Sequence, residues 1–386
     1  MTAASQTDSP SLGISWALSS LSGYGVYGTR LALSHLKRGR GGLALYQTPL
    51  ALSLNPLEER LLAPALAGAA AFESGADRLQ ATHPVLHGVG NGMALHPISE
   101  RIWGAPDIGC IAFEDTRFHP AEIERAGRFA KLIAISSWNE AILKSLGFQN
   151  VVLARQGIAP ELFHPRPGKG LLPGRFVVFS GGKLEYRKGQ DLVLAAFRQF
   201  QARHPEALLM AAWQSPHAED ANPFALAGHV AGVPEKNGRG GLDLSAWVGA
   251  NGVPEEAFID LGYVPNVLMP QVLAEADVAL FPNRCEGGTN LVAMEAMAMG
   301  LPTILADNTG QRDLLAEIGG IPLTRQGQAA APHPGAGVEG WGESDIEEIL
   351  AALETVYTKR QTLPDQAARM MGWAWDDQNE RVFEAL

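Results

Sequence analysis

Short apolar runs alternate with helical patterns along most of this 386-residue chain, and this alternation constrains the fold more than any other feature. In the first half the apolar runs are Ile14–Leu18, Leu43–Tyr46, Val85–Val89, Ile108–Phe113, Leu132–Ile135 and Val151–Leu153. Helical patterns lie between several of them, including Ala121–Ala130 and Trp138–Leu146. Strands that alternate with helices predict a parallel, doubly wound sheet of the α/β class.

A charged segment rich in proline and glycine, Phe163–Gly170, interrupts the alternation and is the best candidate for a linker. The sequence therefore predicts two α/β domains, 1–167 and 168–368, with the first dozen residues as a loose tail. Ligands of such sheets bind beyond the carboxyl ends of the strands, so the cleft between the two halves is the expected site. The strand candidates of the second half are Phe176–Ser180, Ala207–Trp213, Gly262–Val264, Val278–Phe281 and Thr303–Ala306.

Composition excludes several classes of function. Lysine and arginine number 30 against 41 aspartates and glutamates, and the resulting formal net charge of −11 argues against a general nucleic-acid binder. The longest apolar stretches, such as Leu61–Phe72, are about a dozen residues long, whereas a membrane-spanning helix needs roughly 20. The N-terminus lacks the charged and apolar regions of a secretory signal. Two cysteines, Cys110 and Cys285, fit a reducing compartment, so a cytoplasmic protein is expected.

The most informative segment runs from Phe281 to Pro302, where a strand leads through a Gly-Gly-Thr-Asn turn into an apolar helix. Free N–H groups and the helix dipole make such a helix start suitable for a phosphate. Glu286 at the strand exit and Glu295 inside the helix need partners, because burying an unpaired carboxylate is costly. Sugar hydroxyls are one set of partners. A capping role for Glu286 and a salt bridge for Glu295 are the alternative.

A second segment, Phe176–Asp191, contains a strand, a Gly-Gly turn and then Lys183, Arg187 and Lys188 ahead of the next helix. In an acidic protein, cations gathered at the end of a strand are candidates for binding an anion. The two ammonium groups could hold a diphosphate without a metal ion. A solvated charged loop is the alternative.

A third segment, Ser22–Gly28, contains Gly23, Gly25 and Gly28 and is expected to form a turn before a helix that starts near Thr29. Glycines allow a backbone to approach a ligand closely. An ordinary strand-to-helix turn is the alternative.

Together, Phe176–Asp191 and Phe281–Pro302 resemble segments of glycosyltransferase family 4, whose members have the GT-B fold. The stretch Gly181–Gly189 is similar to the phosphate-binding loop of the family, with Lys183 where arginine is commoner and Lys188 as the usual lysine. Glu286 and Glu295 resemble the paired glutamates of the family, but eight residues separate them here instead of the usual seven. The extra residue falls in the turn before the helix, where a loop can absorb it.

The resemblance extends along most of the chain and is most specific in the C-terminal half. Gly262–Asn266 is similar to the segment that leads to the paired glutamates, and Ser136–Asn139 and Gly157–Pro165 are similar to interdomain segments. Trp373–Trp375 resembles the start of a C-terminal helix, and 369–386 is therefore expected to return to the N-terminal domain. The implied fold is two Rossmann-like, doubly wound parallel-sheet domains that face each other across a cleft.

The resemblance also implies a function: transfer of a sugar from a nucleoside diphosphate sugar to a hydroxyl-bearing acceptor, with retention of configuration and without a metal ion or other cofactor. Lys183 and Lys188 would bind the donor diphosphate and offset charge on the leaving group. Glu286 would hold sugar hydroxyls, and Glu295 would bind the ribose. The other implied donor-binding residues are Gly23, Gly25, Gly182, Tyr263, Val264, Asn266, Gly287, Gly288, Thr289, Asn290 and Leu291.

No nucleophile is assigned, because the family favours a front-face mechanism in which the departing phosphate helps to deprotonate the acceptor. Many relatives place a histidine at the end of an N-terminal strand. Here the comparable strand is followed by Glu114, which could orient the acceptor or stabilise oxocarbenium-like charge, and His83 and His87 are rival candidates. Cys285 has no apparent adjacent base and is not taken as a nucleophile. The catalytic candidates are therefore Glu286, Lys188, Lys183 and Glu114.

The sequence has no zinc-ligand spacing and no Asp-x-Asp pair for a divalent metal. It leaves open the donor base, the donor sugar, the oligomeric state and the acceptor, whether glycan, lipid-linked glycan, protein or small molecule. The basic stretch Lys37-Arg38-Gly39-Arg40 could bring the protein to the inner face of a membrane, and a solvated helix end is the alternative. The rival functions are a GT-B epimerase or phosphorylase, and a degenerate GT-B protein that binds sugar nucleotide as an assembly or regulatory subunit.

Overall fold

The computed structural model describes residues 9–75, 77–238, 240–359 and 364–386. Six strands of the first half form one parallel sheet in the order β2-β1-β4-β6-β7-β8, and β3 pairs with β5 beside it. In chain order the elements of this half are β1 Pro10–Ile14, α1 Gly23–Lys37, β2 Gly42–Leu45, α2 Pro56–Ser74, β3 Leu79–Gln80, β4 Val85–Val89, β5 Ile102–Trp103, β6 Asp107–Ile111, α3 Pro120–Ala126, β7 Lys131–Ala134, α4 Ser137–Ser145 and β8 Val151–Leu153.

The second half contains another six-stranded parallel sheet, in the order β11-β10-β9-β12-β13-β14, and an antiparallel hairpin of β15 and β16. Two doubly wound parallel sheets confirm the fold class predicted from the sequence. The elements are β9 Phe176–Gly181, α5 Gln190–Arg203, β10 Ala207–Ala212, α6 Phe224–Ala227, α7 Leu244–Ala250, β11 Phe258–Asp260, α8 Met269–Leu273, β12 Val278–Phe281, α9 Leu291–Ala298, β13 Thr303–Ala306, α10 Gln311–Glu317, β14 Ile321–Leu323, β15 Gln326–Gly327, β16 Glu343–Ser344, α11 Ile346–Lys359, α12 Pro364–Met371 and α13 Trp375–Phe383.

The central strands of the second sheet are covered on both faces. Every residue of β9, β12 and β13 is buried, which is why these strands are continuous apolar runs rather than alternating ones. Helix α9 is also enclosed, since its residues from Ala293 to Ala298 are all buried and α12 packs against it. The carboxylate that the sequence places in this helix, Glu295, is therefore inside the protein.

Within the two large sheets, the strands differ most from the expectation in three places. β1 replaces the expected strand at Ile14–Leu18, so regular structure begins at Pro10, within the stretch expected to be a loose tail, while residues 1–8 lie outside the described part. The strand expected at Gly262–Val264 is wrong. The strand in this region is β11, Phe258–Asp260, and it ends before Gly262, which has a left-handed φ of 69°. β14 is an additional strand, three residues long and interrupted by a proline, and such a short run gives no pattern to detect.

The glycine-rich segment before Thr29 is not a turn but the beginning of helix α1. The Ser22 hydroxyl caps this helix by accepting a hydrogen bond from Gly25 N at 3.1 Å. A Cβ at Gly28 would lie 2.5 Å from Trp16 Nε1, and one at Gly25 would overlap the Ser19 side chain. These glycines therefore allow α1 to pack tightly against the segment that leaves β1.

The last helix, α13, lies against α1 of the first domain. The ring of Trp375 stacks on that of Tyr27 with centroids 5.8 Å apart, and Trp375 N donates to Ile158 O at 2.9 Å. Ser34 Oγ donates to Asp376 at 2.7 Å. The chain thus crosses back after the second sheet to cover part of the first domain. The domain limits at 167/168 and 368/369 stay a prediction.

Candidate functional site

The carboxyl ends of β9 and β12 lie side by side where the order of the second sheet changes direction. β9 ends at Gly181 and β12 ends at Phe281, so the two motifs identified in the sequence start at the same place. Such a switch point opens a crevice outside the strand ends, which is the usual ligand position in doubly wound sheets.

Lys188 enters this crevice from the turn Tyr186–Lys188, which is followed by Gly189 with a left-handed φ of 69°. Its Nζ lies 2.5 Å from Glu286 Oε1, and the two side chains are 13% and 6% exposed. The lysine runs past Gly182, where an added Cβ would lie 3.6 to 3.9 Å from the end of the lysine side chain. The structure therefore brings together Gly182, Lys188 and Glu286, three of the residues expected to bind the donor.

Arg187 joins the two domains at this crevice. Its guanidinium lies 3.3 Å from Glu286, 3.0 Å from Glu185 and, across the cleft, 3.4 Å from Glu114 of the first domain. Burial alone would lower the pKa of the Arg187 guanidinium, but the carboxylates around it hold the pKa well above the ordinary value. The sequence analysis counts Arg187 among the three cations expected to attract an anionic donor, but gives no sign of its contacts with Glu114 and Glu286.

Lys183 does not join this cluster. Its Nζ lies 3.2 Å from Asp220 and 3.5 Å from Glu185, and its side chain is 41% exposed. The two lysines expected to act as a pair thus face different carboxylates, Lys188 inside the crevice and Lys183 at its rim. A diphosphate-binding role for Lys183 stays a prediction.

A buried ion pair fixes the two motif loops relative to each other. The side chains of Arg284 and Asp191 are fully buried, and the guanidinium donates to both carboxylate oxygens, at 2.8 and 2.7 Å. Arg284 also donates to Tyr186 O at 2.9 Å, and Cys285 N donates to Arg187 O at 3.2 Å. A two-pronged contact of this kind is strong and directional. The sequence interpretation missed Arg284, although an arginine three residues after a buried strand is a signal for such a pair.

The turn after Glu286 approaches the first domain closely. A Cβ at Gly287 would lie 2.5 Å from Phe113 O, and Ser136 Oγ donates to Gly287 O at 2.7 Å. Glycine is required there because no side chain fits. The eight-residue spacing is accommodated in this turn, since Glu286 precedes it and α9 begins after it at Leu291.

Asn290 and Thr289 occupy different environments at the start of α9. Asn290 adopts the left-handed conformation, with φ 64° and ψ 83°, and its Oδ1 caps the helix by accepting from Ala293 N at 3.3 Å. Thr289 is fully buried, and its hydroxyl contacts Met294 Sδ at 3.0 Å. The Thr289 side chain therefore serves the core, whereas Asn290 lies at the open end of the helix.

Glu295 is only 5% exposed and lies between the domains. Its burial raises the pKa to about 8, although a hydrogen bond from Asn266 Nδ2 and the charge of Arg30 act in the opposite direction. Asn266 N in turn donates to Ser20 O of the first domain at 2.8 Å. A carboxyl group with a strongly raised pKa in a cleft is a typical mark of a functional site.

Of the remaining residues expected to bind the donor, some are exposed at the cleft and others are buried. Gly23 is exposed at the start of α1, and the only atom near an added Cβ is Leu291 Cδ1 at 3.9 Å, so these two residues face each other across the cleft. Tyr263 is 46% exposed and Val264 is half-buried. Gly25 is buried inside the helix, and there it serves packing rather than an open ligand surface.

Of the acceptor-side candidates, Glu114 reaches the crevice through its contact with Arg187. His87 is fully buried in β4, where its Nε2 lies 2.8 Å from Asp107 and burial lowers its pKa. His83, which precedes β4, makes a hydrogen bond of 3.0 Å to a tyrosine hydroxyl. Both histidines are hydrogen-bonded to other residues of the first domain, and of the three candidates Glu114 is the one that reaches the crevice. Its catalytic role stays a prediction.

A glycine-rich loop between β15 and β16, residues 328–342, crosses from the second domain to the segment that begins with Glu114. We call it the bridging loop. Trp341 Nε1 donates to Glu114 O at 3.0 Å, and Gly337 N donates to Asp115 at 2.7 Å. The acceptor-side carboxylate is therefore held by both domains.

Cys285 is fully buried, and burial raises the pKa of its thiol well above the ordinary value. A thiol in that state is a poor nucleophile, because the reactive form is the thiolate. Within the described ranges, no group of three or more His, Cys, Asp or Glu side chains is arranged to hold a metal ion.

The basic stretch after α1 binds the last helix. Lys37 Nζ lies 3.0 Å from Asp376, and both Arg38 and Arg40 bind Glu380. These contacts give the stretch a role in docking α13. In the part of the chain that the structure describes, no helix is long and apolar enough to span a membrane.

Residues 174–331, which contain the second sheet, match the family model described as Glycosyl transferases group 1. No curated protein matches the chain. Several known structures match nearly all of the chain. Sucrose-phosphate synthase from Thermosynechococcus elongatus is 14% identical, with a TM-score of 0.63 over 97% of this chain and 98% of its own.

Two further structures show the same likeness. HepE from Anabaena, in complex with UDP-glucose, is 16% identical, with a TM-score of 0.58 over 97% of this chain and 98% of its own. The α,α-trehalose 6-phosphate synthase of Burkholderia multivorans is 12% identical, with a TM-score of 0.59 over 98% of each chain. At these identities the likeness shows the fold, which is GT-B. The family match and the fold support a glycosyltransferase enzyme.

Proposed function

Because the second domain matches a glycosyltransferase family model, we propose that this protein is a retaining glycosyltransferase of the family 4 type. It moves a sugar from a nucleoside diphosphate sugar to a hydroxyl-bearing acceptor. The observation that carries the proposal is the contact of Lys188 with Glu286 beside the start of α9. That contact puts a phosphate-binding cation, a helix start and a carboxylate suited to sugar hydroxyls in one crevice.

Lys188 and the N–H groups at the start of α9 supply the positive potential for the diphosphate. The Gly-Gly turn brings them close, since a Cβ at Gly181 would lie 2.8 Å from Val292 Cγ1 and Lys188 runs past Gly182. The ammonium group and the helix dipole stabilise the charge that develops on the leaving diphosphate. When the donor binds, Lys188 exchanges Glu286 for a phosphate, and Glu286 is released to accept hydrogen bonds from the sugar.

Retention follows from a front-face reaction. The acceptor hydroxyl attacks the anomeric carbon on the side from which the diphosphate departs, and a phosphate oxygen takes the acceptor proton. No protein nucleophile is needed. Glu114, held by Arg187 and the bridging loop, orients the acceptor or stabilises positive charge on the sugar. Arg187 and Lys188 supply the cationic charge that a metal ion provides in other transferases.

The nucleoside would lie against α9 on the side of Glu295. A carboxyl group that is largely protonated at neutral pH can both donate to and accept from ribose hydroxyls. Asn266, which already bonds Glu295, and the half-exposed Tyr263 lie on the approach to this position. The HepE structure contains UDP-glucose, so UDP sugars are the first donors to test.

The test begins with thermal-shift measurements against UDP, GDP, ADP and dTDP sugars, because a ligand of the native state raises its apparent stability. Turnover of the donor that binds is then compared in Lys188→Ala and in Lys144→Ala, a matched control on the exposed face of α4. Loss of the phosphate-binding cation lowers turnover by about 10²–10³-fold. The control keeps wild-type turnover.

Near-normal turnover in Lys188→Ala contradicts the phosphate-binding role. Two other outcomes support the rival functions. Binding of a donor that is neither hydrolysed nor transferred favours a non-catalytic subunit, and a requirement for orthophosphate favours a phosphorylase.

A further inference from the structure

Helix α2 of the first domain has an exposed apolar face. The 12 residues of Leu61–Phe72, between Arg60 and Glu73, include no charged or polar side chain. Leu57, one turn earlier, is 80% exposed, the highest value among the large apolar side chains of the described residues. A helix face of this kind is typical of an interface, because it exposes a continuous apolar patch to water. The exposed members of the 12 residues are Leu61, Ala63, Pro64, Ala67, Gly68, Ala70 and Ala71.

Spacings of three and four residues put part of this face on one line along the helix, which we call the α2 stripe. The stripe consists of Leu57, Leu61, Pro64, Gly68 and Ala71. Its first half carries two leucines, and its second half carries only small residues. An added Cβ at Gly68 would meet no other described atom within 4 Å, so the small half is open.

Two copies of the α2 stripe complement each other in one orientation. When two α2 helices lie antiparallel about a two-fold axis, Leu57 of one copy faces Ala71 of the other. Leu61 then faces Gly68, and Pro64 lies next to the axis. A parallel pair would instead oppose leucine to leucine and small residue to small residue, which leaves a gap along half of the contact. Two-fold contacts between identical patches are the commonest in homo-oligomers.

The charges of α2 favour the same orientation. Its first turn carries Glu58 and Glu59, whereas its last turn has no basic residue to complement the negative end of the helix dipole. Arg60 is exposed and lies three residues after Leu57, so it borders the α2 stripe. In the antiparallel pair, Arg60 of each copy lies over the C-terminal half of the other helix and supplies the missing cation.

We propose that the α2 stripe is the interface of a homodimer in which the α2 helices of two copies pack antiparallel. A helix of 19 residues is about 28 Å long, so a pair of such helices forms a small interface. The dimer is therefore reversible, with a dissociation constant in the micromolar range, rather than an obligate assembly. This inference is independent of the proposed function.

Sedimentation velocity at protein concentrations from about 1 to 100 µM measures the association directly. The wild type shifts from monomer to dimer as its concentration rises. Gly68→Glu puts an unpaired charge in the middle of the interface and weakens association at least about 30-fold. The position is open in the monomer, and glycine is a poor helix former, so the melting temperature of this variant stays equal or rises. Loss of the dimer is thereby separated from loss of folding.

Gly249→Glu is the matched control. Gly249 is also an exposed helical glycine, in α7 of the second domain, and an added Cβ there would meet no other described atom within 4 Å. This variant adds the same charge outside the α2 stripe and keeps the association of the wild type.

Disulfide cross-linking tests the orientation. Position 64 lies next to the two-fold axis, so Pro64→Cys forms a disulfide between two copies under oxidising conditions. Leu57→Cys does not, because the two copies of position 57 are about 21 Å apart along the helices. The native cysteines, Cys110 and Cys285, are buried and do not interfere. Cross-linking of Leu57→Cys without cross-linking of Pro64→Cys would overturn the antiparallel arrangement.

A wild type that stays monomeric at all these concentrations overturns the proposal, and so does a dimer that persists in Gly68→Glu. Vesicles of neutral phosphatidylcholine test the other occupant. A monomeric wild type that co-sediments with these vesicles, together with a Gly68→Glu variant that does not, would assign the α2 stripe to a lipid surface instead of a second copy.

Discussion

Arg155 of the first domain and Asp313 of the second form a buried ion pair across the domain interface, with Nε 2.6 Å from Oδ2. The same carboxylate accepts a hydrogen bond from Ser137 N at 2.9 Å, at the start of α4. The side chains of Arg155 and Asp313 are 11% and 4% exposed. Asp313 of the second domain thus neutralises the buried Arg155 and accepts a hydrogen bond from an N–H group at the start of α4, both in the first domain.

Removal of this carboxylate is expected to weaken the domain interface. Asp313→Ala leaves the Arg155 guanidinium with only the exposed Glu317 as an ion-pair partner, at 2.8 Å, and leaves Ser137 N without its acceptor. The free energy of unfolding should therefore fall by about 1–3 kcal/mol in urea denaturation followed by tryptophan fluorescence. Glu140→Ala is the control, because its partner on the same helix, Lys144, is exposed and the loss stays below about 0.5 kcal/mol. Equal losses in the two variants would contradict the importance of the interface.

Arg187 is expected to matter more for turnover than Lys183. Arg187→Gln removes the charge that lies between Glu114 and Glu286, so kcat/KM should fall about 10- to 100-fold. Lys183→Gln removes a half-exposed charge already paired with Asp220, and its effect should stay below about tenfold. Steady-state kinetics with the donor that binds the wild type give both values. A larger loss for Lys183 would show that it leaves Asp220 and carries the diphosphate.

The raised pKa of Glu295 makes the stability of the protein without ligand depend on pH. The folded state keeps the proton up to a pKa of about 8, whereas the ordinary value is 4.5. The contribution of Glu295 to stability is therefore fully present below pH 4.5 and is lost as the pH rises through 8. Glu295→Gln removes this dependence, so its urea midpoint should decline less than that of the wild type between pH 5 and about 8.5. Parallel profiles would refute a raised pKa.

The basic stretch after α1 is expected to bind anionic membranes weakly. Lys37, Arg38 and Arg40 are already paired with Asp376 and Glu380, so little free charge is left for lipid head groups. In co-sedimentation, vesicles with one-third phosphatidylglycerol should retain no more protein than neutral vesicles. Glu380→Gln frees two arginines and should increase retention. Strong retention of the wild type on anionic vesicles alone would show that these cations bind lipid.

The strands best predicted from the sequence are those whose residues face apolar layers on both sides. The bounds of β4, β12 and β13 coincide with the apolar runs, since a run buried on both faces ends where polar or turn residues begin. The segment with the paired glutamates could also be recognised in the sequence, because an apolar helix that contains a single carboxylate is unusual.

Contacts made by tertiary structure could not be predicted in this way. The start of α1 looked like a turn because its glycines serve the close approach of Trp16 and Ser19, which no local pattern reveals. Lys183 and Lys188 looked equivalent, and their different partners follow from the helical turn Tyr186–Lys188 that separates them. The contact of Arg187 with Glu114 joins residues far apart in the chain, so spacing carries no sign of it.

The docking of α13 on α1 bears on the order in which the protein is completed during translation. Tyr27 and His35 of α1 are covered by Trp375 and Phe383, which are synthesised only after the whole second sheet. At about 5–20 residues per second, the Tyr27 and His35 side chains wait for these two partners for tens of seconds after they leave the ribosome. The domain that is made first is therefore finished last, and its nascent form is the one that chaperones would meet.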